Sequence, residues 1–147
     1  MRRGAGSGDG QAAAGGGGGG GCTDPPPTPA TAHVYSTLFT APNVGRLLAT
    51  PAQVQAAIAF CRSTSITKVY LESYRGGVRA DSALLKQARQ LFEAAGLVVH
   101  GCVCTTGLGK PSDGSALVSD YTNRSTQLQL EAEFTFAAGL NDALIIE

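Results

Sequence analysis

Short, strongly apolar runs alternate along the chain with longer segments in which apolar residues recur at three- and four-residue intervals. The short runs are typical of buried β-strands, and the longer segments are typical of amphipathic helices. Strands are predicted at residues 32–38, 67–72, 97–104 and 143–146. Helices are predicted at residues 50–63, 81–95 and 123–138. This alternation, with a continuous apolar run in the third strand, predicts a parallel α/β sheet.

Residues with capping chemistry stand at the start of each predicted helix. Thr50, Pro51 and Gln53 form a capping-box pattern with proline in the first turn. Asp81 and Asn123 are suitable N-caps for the second and third helices. The starts of the three helices are therefore defined more sharply than their ends.

Glycine, proline and asparagine mark the predicted loops. Pro42, Asn43 and Gly45 indicate a loop between the first strand and the first helix. A glycine-containing loop over residues 73–77 is predicted after the second strand. The longest loop, residues 105–122, follows the third strand and is long enough to shape a binding cleft.

The order of elements fits either a (β/α)₈ barrel or a doubly wound open sheet. A nucleotide-binding open sheet carries a glycine fingerprint after its first strand, and residues 36–42 do not contain one. We therefore predict an α/β fold that is a partial (β/α)₈ TIM barrel, with about four parallel strands and three helices. The chain is interpreted as the N-terminal half of a barrel that ends after its fourth strand.

The first 31 residues differ in composition from the rest of the 147-residue chain. A Gly-rich leader and a Pro-rich linker have too little apolar surface to form a core, so residues 1–31 are predicted to be disordered and residues 32–147 to form the fold. Gly20, Gly21 and Cys22 are similar to the end of a bacterial lipoprotein signal. This pattern favours a secreted or lipid-anchored cell-surface protein over a cytoplasmic one; alternatively, the segment is an ordinary low-complexity leader.

Composition also argues against several classes of protein. The formal net charge is zero and no basic stripe occurs, which argues against nucleic acid as a partner. No apolar run approaches the roughly 18 residues that a transmembrane helix needs. The four cysteines, Cys22, Cys61, Cys102 and Cys104, do not form a disulfide framework or a complete metal-ligand set. No cofactor and no metal site are predicted.

Several segments together resemble the N-terminal half of a poorly characterised group of bacterial glycoside-hydrolase-like TIM-barrel proteins. The resemblance is carried by residues 68–75, 99–106, 109–111, 121–123 and 144–147. It implies a barrel fold, a carbohydrate substrate and catalysis by carboxylates at the ends of strands. In that group the fourth strand ends in acidic residues, and Glu147 stands at this position here.

The candidate site residues follow from this placement, and most have a structural alternative. Glu147 is the predicted catalytic residue, since a strand-end carboxylic acid can protonate a leaving oxygen while a second carboxylate acts as nucleophile or base; alternatively it is solvated and inert. Glu72 is predicted either to bind sugar hydroxyls or to pair with Arg75. Tyr74 offers a sugar-stacking face or covers the rim. Arg75 orients a carboxylate or faces solvent, and Lys110 of the long loop completes the predicted substrate contacts.

Two functions are expected from these features. The first is a fragment of a glycoside hydrolase that acts on carbohydrate through strand-end carboxylates and is inactive on its own. The second is a non-catalytic carbohydrate-binding or self-associating module, because the unpaired edges of a half-barrel favour association.

Overall fold

The computed structural model describes residues 34–109 and 119–147. The elements in chain order are β1 (Tyr35–Phe39), α1 (Ala41–Leu47), α2 (Pro51–Ser63), β2 (Ile66–Arg75), β3 (Val78–Arg79), α3 (Ser82–Ala94), β4 (Val98–Val103), α4 (Arg124–Ala138) and β5 (Leu144–Ile146). The predicted leader and linker, and the predicted contact Lys110, lie outside the described residues.

The strands form one sheet with the order β1-β2-β4-β5, in which all neighbours are parallel. The short β3 pairs with β2 in the antiparallel direction. Each parallel strand lies beside the next one in the chain and is joined to it through helices, as in a (β/α)₈ barrel. The predicted α/β fold is confirmed, and the sheet is consistent with a partial TIM barrel.

The main hydrophobic core lies between one face of the sheet and the helices. Val69 and Leu71 of β2 and Val99 of β4 project from this face, because alternate residues of a strand share a face. They pack against buried residues of α2 and α3, including Phe92, whose ring centroid lies 5.7 Å from that of Phe39. We call the opposite side of the sheet the open face.

The predicted helix starts are confirmed at all three positions. Thr50 and Gln53 form a reciprocal capping box at α2, with Pro51 in the first turn. The side chain of Asp81 accepts hydrogen bonds from two backbone N–H groups of α3, and that of Asn123 accepts one from α4. Each side chain therefore satisfies N–H groups that the helix itself leaves without a partner.

The segment after β1, predicted as a loop, is instead the short helix α1. Pro42 lies in its first turn, where proline is tolerated because no N–H is needed there. Val44 and Leu48 are one helical turn apart and both are fully buried in the main core. Their burial outweighs the turn signal of Asn43 and Gly45.

The second strand is longer than predicted, because residues 73–75 continue β2 rather than forming a loop. They pair with β3 through a tight turn at Gly76 and Gly77, whose φ angles are +53° and +85°. Two consecutive positive φ angles are typical of the turns that match the twist of a hairpin, and glycine adopts them at little cost. Arg75 is consequently held on a strand rather than on a flexible loop.

Candidate functional site

The candidate site lies at the carboxyl-terminal ends of β2, β4 and β5, the edge at which parallel α/β folds place their ligands. Glu72 and Arg75 lie near the end of β2, and Glu147 directly follows β5. Glu147 continues the pairing of β5 with β4, because its backbone N–H donates to the Val103 oxygen at 3.0 Å. The sheet therefore brings together three predicted site residues that are up to 75 positions apart in sequence, from residue 72 to residue 147.

A β-bulge at Ser73 determines which side chains reach this edge. Glu72 pairs with Cys102 and Tyr74 with Val103, so Ser73 is an extra residue in β2. Strict alternation would place Tyr74 on the same face as Glu72. The bulge instead turns Tyr74 toward the helices and Arg75 toward the open face.

Tyr74 accordingly belongs to a second core cluster beneath α4. Its ring is 2% exposed and packs with Val103, Leu108 and Ala137. Its hydroxyl accepts hydrogen bonds from the Gly77 N–H at 2.9 Å and from the Gln129 side chain at 3.1 Å. A sugar-stacking role for Tyr74 stays a prediction, and this buried ring offers no face that would support it.

Glu72 is a fully buried carboxylate at the centre of the site. Its Oε2 accepts a hydrogen bond of 2.7 Å from the N–H of Ala41, the first residue of α1. Thr40, which precedes α1, makes no side-chain cap. The N–H of Ala41 is instead bonded to the Glu72 side chain of β2. The Arg75 Nε lies 2.9 Å from both carboxylate oxygens. The predicted pairing of Glu72 with Arg75 is therefore observed, and a contact of Glu72 with sugar hydroxyls stays a prediction.

Arg75 joins the buried carboxylate to the exposed one. Its Nη2 lies 2.8 Å from Glu72 Oε1 and 2.5 Å from Glu147 Oε2. Hydrogen bonding to Glu72 is the largest cause that raises the pKa of Arg75, and bonding to Glu147 adds to it. The guanidinium thus remains charged and orients the Glu147 carboxylate. This is one of the two roles predicted for Arg75.

Glu147 is the reactive candidate with access to solvent, since 44% of its side chain is exposed. Its backbone oxygen accepts hydrogen bonds of 2.8 Å from both the N–H and the hydroxyl of Thr105, the second residue after β4. Backbone and side chain are therefore both held at the sheet edge.

A neighbouring segment brings one more carboxylate near this edge. The Ser119 hydroxyl donates to the Thr105 carbonyl at 2.6 Å, and the Tyr121 hydroxyl donates to the same oxygen at 3.2 Å. Asp120 lies between them, is exposed, and accepts hydrogen bonds from the N–H and hydroxyl of Thr122. The sequence reasoning did not select Asp120, although its place in the predicted cleft loop was a usable signal.

Two cysteines lie beside the glutamates. Among the described residues, potential metal-ligating atoms of Glu72, Cys104 and Glu147 come within 4.8 Å of one another. The Arg75 guanidinium already supplies the positive charge between the two glutamates.

Burial, followed by the negative charge of Glu72, raises the pKa of the Cys102 thiol to about 12. Cys102 is therefore a protonated packing residue at neutral pH, not a nucleophile.

The two glutamates cannot serve as a catalytic pair in this arrangement. Retaining glycosidases place their two carboxyl groups about 5–5.5 Å apart, and Glu72 and Glu147 approach this separation. However, Glu72 is inaccessible and both carboxylates bond to the same guanidinium. A hydrolytic site here would combine Glu147 with a carboxyl group other than Glu72.

One of three comparisons with known proteins found a match for this chain. The profile of the family described as "Probable glycosyl hydrolase, catalytic domain" matches residues 26–147. Searches of curated proteins and of solved structures each returned no match. Within the described residues, no helix has the length and apolarity that a membrane span requires. From residue 26 onward, the chain belongs to the family of probable glycosyl hydrolase catalytic domains.

Proposed function

We propose that this domain binds carbohydrate at the carboxyl-terminal edge of its sheet and supplies Glu147 as a reacting carboxylate for hydrolysis of a glycosidic bond. The observation that carries the proposal is the placement of Glu147, an exposed carboxylate that the Arg75 guanidinium and Thr105 hold at this edge. Membership of the glycosyl hydrolase family supports carbohydrate as the ligand class.

Hydrolysis requires two carboxyl groups with different roles, one acid and one base or nucleophile. Asp120 lies on the neighbouring segment that bonds to Thr105, and it is exposed. It is the second carboxylate that we propose for the reaction. Glu72 has no such role, because it is buried and committed to Arg75 and Ala41.

The proposed function is tested with panels of phenyl glycosides and 2,4-dinitrophenyl glycosides, whose hydrolysis releases phenol and a coloured phenolate, respectively. We expect Glu147→Gln to lower kcat by about 10²–10⁴-fold, the range typical of a lost acid–base group. Glu131→Gln changes an exposed side chain of α4 and serves as the control. We expect this variant to keep wild-type rates. Equal rates for wild type and Glu147→Gln on both kinds of glycoside would contradict a reacting role for Glu147.

A second candidate function is carbohydrate binding without catalysis. It is favoured by the burial of Glu72, which leaves the open face with fewer available carboxylates than the strand-end pattern predicted. Titration of ¹⁵N-labelled protein with oligosaccharides separates the two functions. Shifts of the Thr105 and Glu147 amide signals without any hydrolysis would support binding alone, and hydrolysis that depends on Glu147 would support the enzyme.

A further inference from the structure

The starting observation is that one arginine connects two carboxylates of very different exposure. Glu72 is completely buried, and the Arg75 Nε is equidistant from its two oxygens at 2.9 Å. A buried carboxylate without its cation would be strongly unfavourable, so Arg75 is committed to this position. The guanidinium of Arg75 is therefore fixed beside Glu72. Its Nη2 atom lies 2.5 Å from Oε2 of Glu147.

The backbone of Glu147 is fixed independently of Arg75. Its backbone is tied to Val103 on one side and to Thr105 on the other. Hydrogen bonding and attraction to a guanidinium both favour the ionised form of a carboxyl group. A general acid must instead carry a proton before the reaction, whereas Glu147 contacts a guanidinium that also pairs with the buried Glu72. The contact with Arg75 therefore does not suit a residue that must donate a proton to the leaving oxygen.

We propose that Arg75 is a positioning residue that holds Glu147 as a carboxylate, so that Glu147 acts as the general base of the reaction and not as its general acid. This inference rests on the proposed function. Glu147 takes a proton from water, and the water oxygen bonds to the anomeric carbon. The bond between this carbon and the leaving oxygen breaks, its electron pair stays with that oxygen, and a second carboxylic acid protonates it.

The chain contains a matched control for the loss of such an arginine. Arg79 forms the same kind of pair with the buried Glu133, at 3.0 Å and 2.8 Å, and its guanidinium lies 5.0 Å from the Phe136 ring centroid. This pair connects β3 to α4 and does not involve Glu147. Arg79→Met therefore removes an arginine from a buried glutamate without changing the proposed reacting group.

The first test compares glycosides whose leaving groups need an acid with glycosides whose leaving groups do not. A phenyl glycoside requires protonation of its leaving oxygen, whereas a 2,4-dinitrophenyl glycoside leaves as a stable phenolate. We expect Glu147→Gln to lower kcat on both by about 10²-fold or more. Loss on the phenyl glycoside alone would identify Glu147 as the acid and overturn the inference.

Arg75 is tested in the same assay. We expect Arg75→Met to lower kcat by at least about 10-fold with KM nearly unchanged, because Arg75 acts through Glu147 rather than on the sugar. Arg75→Lys should recover part of the loss, and Arg79→Met should keep the wild-type kcat. Equal losses for Arg75→Met and Arg79→Met would show a general effect on the fold and overturn the positioning role.

A second measurement does not depend on activity. In ¹³C-labelled protein near neutral pH, we expect Arg75→Met to shift the side-chain carboxyl signal of Glu147 and Arg79→Met to leave it in place. An unchanged signal in Arg75→Met would overturn the positioning role even for an active enzyme. If wild type hydrolyses no glycoside, the proposed function fails, and this measurement still decides whether Arg75 holds Glu147.

Discussion

A single buried side chain, Glu72, links three parts of the fold that are distant in sequence. It caps the first turn of α1 through Ala41, fixes Arg75, and through Arg75 reaches Glu147. Burial of a carboxylate is costly unless hydrogen bonds and a cation compensate for lost hydration, and all of these are present here. Of the two roles predicted for Glu72, pairing with Arg75 is observed, and these contacts connect separate elements of the fold.

The cysteine next to Glu72 leads to a prediction about alkaline stability. Burial and the negative charge of Glu72 raise the pKa of Cys102 from 9.0 to about 12. Since the folded state binds this proton more tightly than the unfolded chain, the stabilisation is present below pH 9 and is lost as pH rises toward 12. We expect the free energy of unfolding to fall by up to about 1.4 kcal/mol per pH unit in this range.

Urea denaturation at about pH 8 and about pH 10.5 measures this effect. Cys102→Ala should lose less stability between the two conditions than wild type. Cys61, whose thiol pKa is also raised by burial, remains in both proteins and contributes equally. The same loss in wild type and Cys102→Ala would contradict the assignment.

At the scale of elements, the close contact between β4 and β5 determines where Glu147 lies. Gly101 of β4 faces Leu144, and a Cβ at Gly101 would lie 2.4 Å from the Leu144 side chain and 2.6 Å from that of Asn141. We expect Gly101→Ala to lower the free energy of unfolding by about 1–3 kcal/mol, because the Leu144 and Asn141 side chains would have to move.

The matched control for this substitution is Gly45→Ala. No atom lies within 4 Å of a Cβ at Gly45, which is inside α1. We expect this variant to be more stable than wild type by about 0.5–1 kcal/mol, because alanine favours the helix. Both values come from urea denaturation, and a Gly101→Ala protein as stable as wild type would contradict the expected crowding of the Leu144 and Asn141 side chains.

The elements show what sequence patterns can and cannot predict. The starts of α2, α3 and α4 were predictable because capping is local chemistry between residues two or three positions apart. The helix α1 was not, because its stability comes from burial of Val44 and Leu48 in a core formed by distant segments. In the same way, the apolar Leu128 of α4 is exposed while the charged Glu133 is buried, since Arg79 of another element pairs with it.

The candidate site shows the same division. The strand-end positions of Glu72 and Glu147 followed from the βα pattern, and so did the option that Glu72 pairs with Arg75. The burial of Tyr74 did not, because the bulge at Ser73 depends on pairing with β4 and leaves no local sequence signal. The contact of residues 119–121 with Thr105 also depends on tertiary structure.

At the scale of the whole molecule, the described sheet has an open edge at β1 beside an apolar groove. The groove, about 370 Å³ in volume, is lined by Thr37, Phe39, Leu47, Gln53, Ala56, Ala57 and Phe60. The Phe60 side chain is 53% exposed. In a parallel barrel both strand edges are paired and each strand is covered by helices, so this groove is where a further βα unit would pack.

We expect a second copy of the chain to cover this groove in solution, which is the self-association predicted from the sequence. Light scattering after size-exclusion chromatography should give a mass above that of the 14.9 kDa monomer at micromolar concentration. Phe60→Glu should shift the protein toward monomer. Leu128→Glu, which places the same charge on the exposed surface of α4, should not. A monomeric wild type would contradict this expectation.

The extra residue at Ser73 has a consequence for how relatives of this chain are compared. Glu72 and Tyr74 lie on opposite faces because Ser73 does not count in the alternation. A relative that lacks this residue keeps all the side chains on the same faces, with glutamate directly before tyrosine and arginine. Sequence alignments normally avoid gaps inside strands. An ungapped alignment of that relative with this chain would not align its arginine with Arg75. A one-residue gap at position 73 restores the match between the glutamate and the arginine that holds it.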